Sequence, residues 1–111
     1  MAQEIGESDW RLSRQLREVA LDRYCRRVLS ESERLHGDQS LSAHQRYLAI
    51  FKLLKQRDKE LASLFDDPRR SVALYQLAGM KGHGLLTDEE LARFSEATQY
   101  SVAVLSEAVS D

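Results

Sequence analysis

The chain of 111 residues is 42% hydrophobic and 31% charged with a net charge of −2, too apolar for a disordered chain, too polar for a membrane-embedded one, and long enough to bury a core without staples. Its one cysteine, Cys25, excludes an internal disulfide and a cysteine-based zinc site, and one proline and five glycines leave few places where a helix must stop. The reading is one soluble all-α domain over residues 9–109 behind a flexible N-terminus, 1–8.

The first turn sequence places Ser8 or Asp9 as cap of a helix over 9–36, about 40 Å of rod, closed by a left-handed Gly37. Leu12, Leu16, Val19 and Ala20 line one face, and Trp10, Leu21, Tyr24, Val28 and Leu35 continue along an adjacent one. After residues 37–40, Ser42 and Gln45 have capping-box spacing and open a second helix over 42–65. Its Tyr47, Ile50, Phe51, Leu54, Leu61, Ala62 and Phe65 share a stripe that Leu53 and Leu64 widen. A loop this short predicts an antiparallel hairpin.

Asp66-Asp67-Pro68 ends the second helix and opens a third over 68–80, with Asp67 as its cap. Val72, Ala73, Leu74, Tyr75, Leu77, Ala78 and Met80 point in nearly every direction around it, so it is expected to be the central, most buried element. Gly82-His83-Gly84 forms a loop. Thr87 and Glu90 then make a second capping box, with Leu86 and Leu91 spaced as a hydrophobic staple, and begin a fourth helix over 88–108. One face of that helix carries Leu91, Phe94, Thr98, Val102, Leu105 and Val109, widened by Ala97, Val104 and Ala108. The expected fold class is therefore an all-α, four-helix bundle-like domain built on a long antiparallel helical hairpin, with a buried third helix and an amphipathic fourth.

Charge is unevenly placed along this chain. Residues 1–81 hold fifteen Lys and Arg against twelve Asp and Glu, whereas 82–111 hold one Arg against six acids. Complementarity between helices accounts for that asymmetry more simply than a nucleic-acid surface does. The first helix carries Arg11, Arg14, Arg17, Arg23, Arg26, Arg27 and Arg34, but Glu18, Asp22, Glu31 and Glu33 are interleaved with them at pairing distance. Arg14, Arg17 and His83 are the candidates for an anion contact, and the pI of 5.9 argues against a dedicated nucleic-acid binder.

No residue pattern points to catalysis or to a cofactor. His36, His44 and His83 lie on separate elements without ligand spacing, no serine sits in a glycine elbow, and Cys25 lies inside a helix, where thiols usually pack. His83 between two glycines lacks the strand and the Lys-Ser/Thr pair of a phosphate loop. Asp58 is the informative polar residue, because it falls between Leu54 and Leu61 in the second helix's apolar stripe. A buried charge must be paired, and folding back about the loop brings it level with Arg23. An Asp58–Arg23 ion pair fixing the hairpin register is therefore predicted.

A helix apolar all round, plus two long helices with broad stripes, offers more apolar surface than one C-terminal helix can cover. Self-association or a stable protein partner is the natural remedy. The sequence thus reads as a non-catalytic helical protein–protein interaction module, homodimeric and regulatory or adaptor in kind, with Leu91, Phe94, Val102, Val104, Leu105 and Val109 as the candidate interface. The alternatives are a nucleic-acid-associated regulator using the arginine-rich helix, and a small-ligand sensor near Asp58, Tyr47 or His83. Residues 1–10 carry Glu4, Glu7 and Asp9 with no apolar run, unlike a secretory signal, and no run of eighteen apolar residues occurs, which together point to the cytoplasm and away from membranes.

Overall fold

The computed structural model describes residues 5–109, apart from the side chain of Val109. These residues form five α-helices and no strand: α1 (Glu7–His36), α2 (Ala43–Phe65), α3 (Ala73–Gly82) behind a 3₁₀ turn at Arg70–Val72, α4 (Asp88–Leu91) and α5 (Glu96–Val109). α1 and α2 run antiparallel. The Tyr24 hydroxyl shares its one hydrogen between Glu60 Oε1 and the Arg57 carbonyl, Arg57 grips Glu31, and Arg46 donates to the His36 carbonyl, so partners descend along α2 as they ascend along α1.

The core lies at one end of this pair. Leu16, Ala20 and Tyr24 from α1 meet Leu64 and Phe65 from α2, with Ala73, Leu77 and Met80 of α3 and Phe94 and Val102 beyond them. Tyr24 stands edge-on to Phe65 with ring centroids 6.2 Å apart, a favoured aromatic geometry. α3 approaches α2 closely because residue 79 is glycine, where an added Cβ would sit 2.7 Å from Leu64 Cδ2. α3 closes in a Schellman motif: Gly84 at φ +67° donates to the Lys81 carbonyl and Leu85 to the Met80 carbonyl, both at 2.9 Å. That turn delivers Leu85 and Leu86 into the core.

Both capping boxes form, at Ser42/Gln45 and at Thr87/Glu90. Other termini differ from the sequence reading. The N-terminal segment is not free throughout, since Ile5 is 2% exposed in the core and α1 starts at Glu7 behind Gly6; residues 1–4 lie outside the described residues. Gly37 stays right-handed at φ −87°, because its amide simply continues the ladder to the Glu33 carbonyl. Asp67 does not cap a helix at Pro68. It takes a left-handed φ of 51°, and the chain remains irregular until Arg70, so α3 proper begins at Ala73. α3 is also open on one side, with Tyr75 65% exposed.

The single helix expected over 88–108 is broken into α4 and α5. The amides of Arg93 and Phe94 turn back to carbonyls only three residues away, at Glu90 and Leu91, which tightens and ends α4. The amide of Ser95 leaves the ladder for Asp9 on α1. Asp9, 7% exposed, accepts from Ser95 Nα at 3.2 Å, Ser95 Oγ at 2.6 Å and Thr98 Oγ1 at 2.6 Å. The acid placed by sequence at the start of α1 therefore caps α5, where the helix dipole also favours a negative charge.

Burial pushes the Asp9 carboxyl up, but the hydrogen bonds from Ser95 and Thr98 outweigh it and leave the group below its ordinary value. A depressed folded-state pKa gives stability that is complete above the ordinary carboxylate range and is lost as pH falls through it. Asp9→Ala is expected to lower the unfolding free energy at pH 7 by about 2 kcal/mol in urea titrations. Acidification below about pH 4 should erode the stability of the parent chain more than that of the variant; equal stabilities at pH 7 would exclude this cap.

Candidate interaction surface

Arg23 does not meet Asp58. Its Nη1 donates to Glu90 Oε1 at 2.7 Å and to the Leu85 carbonyl at 2.8 Å, while Nη2 donates to Glu90 Oε2 at 3.0 Å. Glu90 Oε1 also accepts the Thr87 amide at 2.9 Å, so one carboxylate closes the α4 capping box and anchors α4 to α1. The Arg23 hydrogen bond is the main reason the Glu90 carboxyl is held down at about 2. Part of the charge asymmetry along the chain resolves into this link between the basic first helix and the acidic C-terminal segment.

Of the residues expected to contact an anion, Arg14 and Arg17 line one open hollow beside Trp10 and Arg11, with Glu18 among them, and His83 is not part of it. Arg17 closes the end of α2, with Nε and Nη2 on the Phe65 carbonyl at 3.3 and 2.8 Å and its guanidinium over the Phe65 ring. Arg14 lies over the Trp10 ring. His83 sits elsewhere, with Nδ1 3.8 Å from the Glu60 carboxylate, an acid that would repel an anion. Its carbonyl, with that of Gly84, is held by Arg27, which closes the end of α3. Arg11 and Arg26 face Glu7 and Asp22 one turn away. Asp58 and His83 line different hollows, and Tyr47 lines neither. Among the described residues no three His, Cys, Asp or Glu side chains converge as a metal site would require, and no helix is long and apolar enough to cross a membrane.

The interface expected on the last helix is also corrected. Phe94 and Val102 are core residues at 4% and 2% exposure, Leu91 packs against the core and Leu105 is half-buried. Val104 is 46% exposed, and the Val109 side chain lies outside the described residues. α5 already packs along α3, so its stripe is covered within the chain.

Tyr75, Tyr100 and Val104 remain exposed on α3 and α5, but the larger cluster of uncovered apolar side chains lies on the hairpin. Full burial stops at Tyr24 on α1 and begins only at Leu64 on α2, so the two helices continue past the core as an arm. Within it Arg57 binds Glu31 through two hydrogen bonds of 3.2 and 3.0 Å, which holds the Glu31 carboxyl below its ordinary value. Burial, and then Glu60 beside it, push the Tyr24 hydroxyl well up. Val28 and Leu35 of α1 and Ile50 and Leu53 of α2 are half-buried along this arm.

α2 meets α1 through only part of its wide apolar arc. The rest faces outward: Tyr47 is 65% exposed, Leu48 49%, Phe51 58% and Leu54 45%, with Leu29 of α1 at 66% beside them. Asp58 does lie in the apolar stripe, but that stretch of stripe is external and the carboxylate reaches water. Phe51, Leu54, Asp58 and Leu61 of α2 face Cys25, Val28 and Leu29 of α1 across an open groove of about 640 Å³. The arm draws the molecule out to 53 × 26 × 24 Å. Its 16.6 Å radius of gyration compares with about 13 Å for a compact chain of this length. Its surface of 7697 Å² exceeds by roughly 1,500 Å² that expected of a compact monomer of its mass.

Glu90→Gln is expected to cost about 2 kcal/mol at pH 7. Because the folded-state pKa of Glu90 is depressed to about 2, that difference should shrink as pH falls from the ordinary value of about 4.3 toward 2, and a pH-independent difference would exclude the Arg23 link as its source. Arg17→Ala should cost about 1–2 kcal/mol and Arg14→Ala under about 0.5 kcal/mol in the same denaturant assay; the reverse order would overturn the capping role of Arg17. Comparison with family models, curated proteins and solved structures yields no match.

Proposed function

We propose that the chain is a non-catalytic helical interaction module of regulatory or adaptor kind, which forms a homodimer by laying the exposed face of its arm against the same face of a second copy. The observation that carries this reading is the surplus apolar surface of the arm. At about 200 Å² for a large apolar side chain, Leu29, Tyr47, Leu48, Phe51 and Leu54 together expose on the order of 500 Å². The methylene stems of Lys52, Lys55 and Lys59 on the same helix bring the face toward the roughly 800 Å² that each partner contributes to a stable interface. Two arms so joined make a four-helix bundle, the arrangement in which helices with arcs this broad are covered on both sides.

A self-complementary contact of this kind closes at two copies. The arginine-rich helix supports a nucleic-acid reading less well, since Arg17, Arg23 and Arg27 close helix ends and anchor α4. Sedimentation equilibrium at micromolar concentration should return a dimer mass, and Cys25, which lines the groove, should react with an alkylating reagent more slowly in the dimer than at nanomolar dilution. Phe51→Glu should give a folded monomer whose melting temperature reflects only the loss of the dimer. A parent chain that stays monomeric at tens of micromolar, or a Phe51→Glu variant that stays dimeric, would overturn the reading.

A further inference from the structure

Resting on the arm-mediated dimer, we propose that the second copy seats antiparallel, with the two-fold axis crossing α2 between positions 56 and 57, so that Asp58 of each copy pairs with the partner's Lys55. Asp58 and Lys55 both line the arm's groove and both are exposed, one turn apart on α2. Closing an apolar face over Asp58 removes water from its carboxylate, and an unpaired charge there would oppose association.

Two copies can lie along each other in only two symmetric ways. A parallel pairing sets each position against itself, so Asp58 meets Asp58 and Lys55 meets Lys55 inside the seam. The antiparallel pairing sets position 58 against position 55 twice, and each carboxylate gains an ammonium. The same register sets Phe51 against the partner's half-buried Ala62, a large side chain over a small one, and Leu54 against the partner's Lys59, whose methylene stem covers it. Charge thus selects the antiparallel orientation, and the fit of Phe51 over Ala62 selects this register among those that set Asp58 against a lysine.

Charge reversal in the intact chain tests this by sedimentation equilibrium, with circular dichroism melts confirming that the exposed substitutions leave the fold intact. Asp58→Lys and Lys55→Asp should each weaken the dimer by about tenfold or more, because each places two like charges together twice. The double swap should return the dissociation constant to within about threefold of the parent, and an equimolar mixture of the two single variants should form a heterodimer. A dimeric parent whose affinity is unchanged or raised by Asp58→Lys, or a double swap that fails to restore it, overturns the register and leaves arm-mediated dimerisation standing. A monomeric parent removes both.

Discussion

Arg23 reaches from the middle of α1 to the Glu90 carboxylate and the Leu85 carbonyl, and at that point three stretches of chain are tied. The carboxylate fixes the first turn of α4 through Thr87, the carbonyl belongs to the turn that ends α3, and α1 supplies the cation. The end of α3 and the start of α4 take their position on the long helix from this junction, while Asp9 fixes the start of α5. A bidentate guanidinium suits the task, since its planar fork engages both carboxylate oxygens and still has a hydrogen left for the carbonyl. Arg17 at the Phe65 carbonyl, Arg27 at the carbonyls of His83 and Gly84, and Arg46 at the His36 carbonyl extend the pattern. Helix ends carry unsatisfied carbonyls and a partial negative charge, and this chain answers three of them with arginine from a neighbouring helix.

The molecule that results has two unlike parts. One end holds the closed core to which all five helices contribute, with Tyr75, Tyr100 and Val104 still exposed on its outer side. The other is a pair of helices held to each other by the Arg57–Glu31 pair and a thin layer of half-buried side chains, with aromatic and aliphatic residues facing solvent. α3 and α5 are too short to cover the length of α1 and α2. This is the surface that the proposed dimer covers.

Local chemistry was legible in the sequence, and tertiary pairing was not. Both capping boxes are read from residues three apart, and the long helical runs from the scarcity of glycine and proline. Asp58 does lie within an apolar stripe, but periodicity says which residues share a face and not which part of a wide arc a neighbour covers. Assuming an internal stripe gave Asp58 the wrong environment and Arg23 the wrong partner. The break between α4 and α5 had a local sign in Ser95-Glu96-Ala97-Thr98, a serine ahead of an acidic first turn. The acid that enforces it is Asp9, 86 residues earlier, and no window along the chain joins the two. The candidate interface moved for the same reason: Phe94 and Val102 have the pattern of a surface stripe, and α3 covers them.

The Asp9 cap also orders events during synthesis. When α1 leaves the ribosome its buried acid has no donors, and it gains them only when Ser95 and Thr98 follow. The α1–α2 pair, by contrast, closes through contacts of 10 to 36 residues' separation. Low separation favours early formation, and distant pairing must wait for the chain to arrive. Until α3 and α5 arrive, the α1–α2 pair exposes Leu16, Ala20, Leu64 and Phe65 in addition to its arm, which makes the unfinished chain the one with more apolar surface open to premature association.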